Sequence, residues 1–141
     1  MNLICHIQKI NHREYNFNVM AIPHLGPVGQ KGEQLAREFL EKEGLIFHQA
    51  NLRVPGGEID LLMEDKIKKE IVFVEVRTRT NSEFGSPEES ISSSKQHVLK
   101  RSIAMHMQNY PWNTNYRLDL VAIMLQNGTP KITHYKGIYL A

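Results

Sequence analysis

The alternation of apolar and polar positions resolves into a helix, three strands, a second helix and two final strands. From Gln30 to Gly44 the residues Leu35, Ala36, Phe39 and Leu40 fall on one stripe at helical spacing. Gly44 stands where a C′ glycine ends a helix. Ile46–Val54 reads as extended, and Pro55-Gly56-Gly57 turns the chain. Glu58–Glu64 and the β-branched run Ile71–Thr78 follow as strands. Only the polar Asp65-Lys66-Ile67-Lys68-Lys69 lies between them, which predicts an antiparallel hairpin. Ser86-Pro87-Glu88-Glu89 offers a serine N-cap, a proline at the first helical position and a glutamate that completes a capping box. The helix it predicts runs to about Asn109, ahead of Pro111. Arg117–Leu125 and Ile132–Tyr139 read as two further strands. The order α-β-β-β-α-β-β implies an α/β fold with a mixed central sheet flanked by two helices. The first 28 residues show no sustained period and close on the breaker-rich PHLGPVG. They are read as a poorly ordered leader, residues 1–28, ahead of a domain over 29–141. The alternative is a strand around Tyr15–Ile22 on a sheet edge, and Met20 offers a second start.

The predicted hairpin carries the chemistry. Strand side chains alternate faces, so Glu58, Asp60 and Leu62 share one side, and Ile71, Phe73, Glu75 and Arg77 share one side of the next strand. With Asp65 and Glu70 closing the loop, Asp60 lies opposite Glu75 and Glu58 opposite Arg77. Directly opposed Cβ atoms start ~4.5–5.5 Å apart, close enough for two carboxylates to hold one cation. The acids' face also carries Leu62, Ile71 and Phe73, while Ile59, Leu61, Met63, Val72, Val74 and Val76 take the other. Both faces therefore look covered, and two acids on a covered sheet repel each other and lose hydration unless something neutralises them. Oxygen-only ligands point to Mg²⁺ or Mn²⁺ and away from zinc. Glu33 sits three and seven residues before Ala36 and Leu40, so it can face the sheet, although a glutamate near a helix start also suits the helix dipole. Lys95 shares a stripe with Ile91, Val98 and Leu99, and its ammonium either reaches the acids or snorkels to water. Glu58 with Arg77 is readable as a plain cross-strand salt bridge.

Composition narrows the field. At 141 residues, 41% hydrophobic and 23% charged, the chain has the size and profile of one globular domain. A net charge of +2 does not announce a nucleic-acid binder, so any basic surface must come from local clustering. The single Cys5 excludes an internal disulfide and a cysteine-based zinc site, and fits a reducing cytoplasm. No apolar run reaches the ~20 residues of a membrane span, and the N-terminus lacks the features of a secretory signal. A cytoplasmic location without membrane partners is expected. The seven histidines show no metal-binding spacing, and neither a phosphate-binding glycine loop nor a nucleophile elbow is present.

GEIDLL at Gly57–Leu62, followed by FVEVRTR at Phe73–Arg79, resembles the YraN-like family of small bacterial proteins, grouped in the PD-(D/E)XK superfamily near Holliday-junction-resolvase-like nucleases. The likeness extends from Gly29-Gln30-Lys31-Gly32-Glu33 through Phe84-Gly85-Ser86-Pro87 and Lys95 to Arg117-Leu118-Asp119, and leaves out the stretch through Val28. It implies a restriction-endonuclease-like fold. Asp60 would match the motif aspartate, Glu75 its second acid, and Glu33 the helical acid of resolvase-like members. The superfamily lysine two residues after the second acid is replaced by Arg77, which stays charged and cannot take a proton from water. Lys95 would then supply the amine from the helix. The expected activity is metal-dependent hydrolysis of DNA phosphodiesters, in structured or branched DNA. Asp60, Glu75, Glu33 and the Val76 carbonyl would hold Mg²⁺ or Mn²⁺, Arg77 and Lys95 would contact the phosphate, and Arg53, Arg79, Lys100 and Arg101 would track the backbone. The alternative is a catalytically silent nuclease fold that binds nucleic acid or a protein partner.

Overall fold

The computed structural model describes residues 8–14, 28–79, 91–126 and 129–138. Its elements are β1 (Gln8–Glu14), α1 (Val28–Lys42), β2 (Ile46–Val54), β3 (Gly57–Asp65), β4 (Glu70–Arg79), α2 (Ser93–Met107), β5 (Asn115–Gln126) and β6 (Thr129–Lys136). One mixed sheet of order β1-β6-β5-β4-β3-β2 runs through the molecule, antiparallel throughout except between β4 and β5. The α-β-β-β-α-β-β order read from the sequence is present, with β1 added at the β6 edge from within the stretch read as a leader. The alternative strand at residues 15–22 lies outside the described residues. No helix among the described residues is long and apolar enough to cross a membrane.

Helix α1 ends as its sequence dictates. Gly44 adopts φ +96, Leu45 N–H donates to the Leu40 carbonyl and Gly44 N–H to that of Glu41, each at 3.0 Å. This is the Schellman arrangement, completed by Leu40 and Leu45 meeting in the core. Helix α2 begins later than the capping box at Ser86 suggested. Ser92 is its N-cap, with Oγ accepting from Lys95 N–H at 3.2 Å, and the backbone at Ser92 is extended. A helix from Ser86 therefore does not run into α2, and residues 86–90 themselves fall outside the described set. A serine oxygen can cap wherever the next three residues turn, so the run Ser92-Ser93-Ser94 offered a competing start that the Pro-Glu-Glu pattern obscured.

The sheet is covered on both sides. Leu61, Met63, Val72, Val74, Val121 and Ile123 pack with Leu35, Ala36, Phe39 and Leu40 of α1. Leu62, Ile71, Phe73, Leu118 and Leu120 pack with Leu99 and Ile103 of α2. Ile59 departs from its expected face, lying with the α2 cluster instead of with Leu61 and Met63. The reason is a bend at the end of the β2–β3 hairpin. β3 pairs with β4 from Asp65↔Glu70 to Leu61↔Val74, the predicted register, and the ladder ends there. β4 continues alongside β5 as far as Arg79↔Met124, whereas the hairpin end turns toward α2. Gly57 makes this approach possible, since a Cβ there would collide with Val98 and stand 2.7 Å from Ser102 Oγ.

A second close approach seats α1. A Cβ on Gly32 would collide with Thr78 Oγ1 on β4 and lie 3.1 Å from Thr78 Cβ. Alanine is the better helix former by ~0.5–1 kcal/mol, but overpacking costs about 1–3 kcal/mol, so steric strain wins. Gly32→Ala should therefore lower the urea midpoint of unfolding. In a Thr78→Ala background, where the colliding hydroxyl is gone, the same change should be neutral or stabilising. Equal losses in both backgrounds would show that the contact does not set the seat of α1.

Candidate functional site

The place where β3 leaves β4 is polar on all its walls. Asp60 is the first residue of β3 beyond the last pair with β4, and its Oδ2 accepts a hydrogen bond from Val76 N–H at 2.7 Å. A side chain thus takes over the backbone donor at the point where the strands part. Glu75 precedes Val76 and is buried on the β4 surface. Extending the observed register by one residue places Asp60 opposite Glu75, and their carboxyls lie within hydrogen-bonding reach of each other. The expected juxtaposition of these two acids is present.

Two cations converge on one oxygen of that pair. Arg77 Nη2 stands 3.2 Å from Glu75 Oε1, and Lys95 Nζ stands 3.6 Å from the same atom. The Ser92 cap places Lys95 in the first turn of α2, so the helix start delivers the ammonium to the acids. Of the two readings of Lys95, contact with the acids is the one observed. Glu75 Oε2 is buried with no hydrogen-bond partner among the described residues, and so is Arg77 Nε. Burial, then the Asp60 charge, pushes the Glu75 carboxyl up to about 7, against the pull of Lys95 and Arg77. Burial also raises Asp60, opposed by the Val76 N–H, Lys95, Glu75 and Arg77.

A third and a fourth acid flank the pair from α1 and β3. Glu33 is raised by partial burial and by the charges of Asp60 and Glu58. Asn51, a β2 residue in the left-handed region at φ 50, bridges them. With its NH₂ turned to the carboxylates it donates to Glu58 Oε1 at 3.0 Å and to Glu33 Oε2 at 3.1 Å. Among the described residues no three acid, histidine or cysteine side chains form a ready-made metal cage. Glu33 accordingly stands beside the Asp60–Glu75 pair with one oxygen engaged by Asn51, not as a third member of a closed set. Glu58 does not meet Arg77 as the extended register suggested. The hairpin has turned away by that point, and Glu58 lies 3.8 Å from Arg53 instead.

The remaining predicted cations are more dispersed. Arg53, Lys100 and Arg101 are exposed, the first on the hairpin and the others on α2. Arg79 lies two residues beyond Arg77 on β4 and donates to the Thr78 carbonyl at 3.3 Å. Sequence reading overlooked Asn51, although an asparagine is the non-glycine residue best suited to a left-handed kink in a strand.

On the opposite face of the sheet a second set of charges gathers around Arg117, whose Nη2 is also buried without a partner among the described residues. Arg117 Nη1 donates to Asp65 Oδ2 at 3.0 Å and Glu70 Oε2 at 2.6 Å, tying the β3–β4 turn to the start of β5. Its Nε donates to Asp119 Oδ1 at 3.0 Å. Asp119 also receives Gly137 N–H at 2.9 Å and faces His134 Nε2 at 2.8 Å. Burial would raise the Asp119 carboxyl, but His134, Arg117 and the Gly137 N–H together hold it below its ordinary range.

Asp60, Glu75, Arg77, Lys95 and Glu33 lie within the span over which the chain resembles known proteins. Residues 32–123 match the model of "Uncharacterised protein family UPF0102". A UPF0102 protein of Carboxydothermus hydrogenoformans is 32% identical over 79% of this chain and 93% of its own length. One from Syntrophomonas wolfei is 36% identical over 76% of this chain and 92% of its own length. One from a Janthinobacterium species is 42% identical over 67% and 75% respectively. The matched segment contains most of α1, the β2–β3 hairpin, β4, α2 and most of β5, and the chain belongs to the UPF0102, or YraN-like, family.

Proposed function

We propose that the protein is a metal-dependent nuclease that hydrolyses phosphodiester bonds in DNA. The observation that carries this reading is the Glu75 carboxylate, with both cations on Oε1 and a buried Oε2 left without a partner beside Asp60. Two buried carboxyls side by side cannot both ionise without cost, and one is pushed to hold its proton. Asp60 and Glu75 would hold a divalent cation there, and its charge would relieve that cost. Mg²⁺ and Mn²⁺ suit such a pair, because they are commonly held by one or two carboxylates with water completing the shell. When bound, the metal would supply a Lewis acid and lower the pKa of its water. The chain's own groups do the rest. Arg77 and Lys95 put positive charge at the mouth of the site, where a scissile phosphate would lie. Lys95 can exchange a proton there, whereas Arg77 cannot. Glu33, with its raised pKa, stands ready to hold or release a proton at the flank. Arg53, Arg79, Lys100 and Arg101 would serve as phosphate contacts away from the reacting bond.

The second reading is a catalytically silent member of the same fold that binds nucleic acid or a protein. It is favoured by Arg77 in the place of the motif lysine. Cleavage assays on branched and single-stranded DNA with Mg²⁺ or Mn²⁺ separate the two readings, with product formation supporting the first.

Three outcomes are expected. Mn²⁺ should raise the melting temperature of the wild type and much less that of Asp60→Asn. At free metal ~100 times the dissociation constant the stabilisation is about 2.7 kcal/mol. In chelator, Asp60→Asn should be as stable as the wild type or more so, because it removes one of two repelling acids. Destabilisation by Asp60→Asn with no metal response in the wild type would overturn the metal site.

The second outcome is a pH dependence. Glu75 holds its proton to about 7 when folded, against an ordinary value of 4.5. Between those values the folded state binds more protons than the unfolded, so stability falls as pH rises through the window. In chelator the wild type should lose melting temperature relative to Glu75→Gln as pH goes from about 5 to about 8. A constant difference across that range would show that Glu75 is not protonated in the free site.

The third concerns the cations. Arg77→Lys should preserve or raise nuclease activity, and Lys95→Met should reduce the wild-type rate more than that of Arg77→Lys. Equal losses in both backgrounds would show that Lys95 does not replace the motif amine.

A further inference from the structure

Because β4 and β5 are parallel, the β3–β4 turn and the α2–β5 loop enter the sheet at the same end, next to the pair Glu70↔Asn115. Three large apolar residues are left uncovered there. Trp112 is 97% exposed, Ile67 94% and Tyr116 51%. Lys66, Lys68 and Lys69 are exposed on the same turn. Asp65 and Glu70, which border this turn, are both engaged by Arg117, and Asp65 also feels the charge of Lys68. The three lysines are exposed at the same end of the sheet as the rings.

The platform is preformed. Asp65 Oδ1 accepts Lys68 N–H at 3.0 Å and fixes the turn, while Thr114 N–H closes the Trp112 loop onto the Pro111 carbonyl at 2.9 Å. Tyr116 is held edge-on against Phe73 at 6.1 Å between centroids. Trp112, Ile67 and Tyr116 are thus large apolar groups exposed together at one ordered end of the sheet, where a partner could bury them.

We infer that this end of the sheet is a binding surface for single-stranded nucleic acid, with Trp112 and Tyr116 as stacking platforms and Lys66, Lys68 and Lys69 as phosphate contacts. The inference rests on the nuclease reading for its biological sense but not for its measurement. A single strand offers repeated negative charge and unpaired flat bases together, which is the complement of clustered ammonium groups and free rings. A membrane surface would require a broad apolar face, and this patch offers one aliphatic side chain. Along β4, five residues separate Glu70 from Glu75, or ~17 Å of strand. That is about five nucleotides at the rise of one strand of a duplex, so one DNA molecule can span both places.

The chain has a single tryptophan, so its fluorescence reports Trp112 alone. The full chain would be titrated in chelator with an oligothymidylate of about 16 nucleotides. The expected result is quenching of Trp112 that persists in Asp60→Asn. By anisotropy of a labelled strand, Trp112→Ala should weaken binding about tenfold. The triple variant Lys66→Glu, Lys68→Glu, Lys69→Glu should bind more weakly and flatten the logarithmic salt dependence by about 2, at ~0.7 per lost phosphate contact. All four residues are exposed, so unchanged melting temperatures serve as the folding control. Unquenched Trp112, or unchanged affinity in these variants, would overturn the proposal. So would a response to anionic phospholipid vesicles without one to the oligonucleotide. A wild type that binds the strand but ignores Mn²⁺ would sink the metal site and leave this surface standing. A Mn²⁺ response without strand binding would do the reverse.

Discussion

The hydrogen bond from Val76 N–H to Asp60 Oδ2, 2.7 Å long, sets the form of the candidate site. At Asp60 the hairpin leaves β4, and a backbone donor that would otherwise be lost is met by a carboxylate. That one substitution of side chain for backbone fixes the aspartate at the rim of β4, beside Glu75. It also opens the gap through which Glu33, Asn51 and Lys95 approach from three different elements. Had β3 and β4 stayed paired to their ends, Glu58 would face Arg77. Gly57, which lets the hairpin end lie against Val98 and Ser102, and Gly32, which lets α1 lie against Thr78, hold the gap open from its two sides.

The two faces of the sheet show how differently two buried acids can be held. Asp119 is fully buried yet meets a guanidinium, an imidazole and a backbone N–H, and its carboxyl is held acidic. Glu75 is nearly as buried, but its two cations crowd one oxygen while the other stays bare, and its carboxyl is pushed toward neutrality. Similar burial gives opposite outcomes because hydrogen bonding to the charged form decides the sign. Both residues fall within the family match.

Most of the core of this site was legible in the chain. The parity of Asp60 and Glu75 follows from the short polar turn Asp65–Glu70, because a hairpin with so little loop has few registers open to it. The stripe containing Lys95 likewise pointed its ammonium at the acids. The end of the ladder was not legible, because strand alternation is local while the bend toward α2 depends on glycine contacts with a helix some forty residues away. That is why the face of Ile59 and the Glu58–Arg77 pairing came out differently, and why Asn51 passed unnoticed. The start of α2 was hidden for another reason. Several serines in a row can each cap, and only tertiary packing chooses among them.

The parallel pairing of β4 with β5 has a kinetic corollary. Partners such as Val74 and Asp119 are ~45 residues apart in the chain, so β5 cannot dock until α2 has crossed over, whereas β3 and β4 are neighbours joined by a tight turn. During folding the hairpin can therefore bring Asp60 and Glu75 together before α2 arrives with Lys95. For that interval the acids have only Arg77 nearby, and the nascent hairpin carries its least compensated charge. The order of chain assembly thus exposes the carboxylates to bulk counter-ions first and to their own helix last.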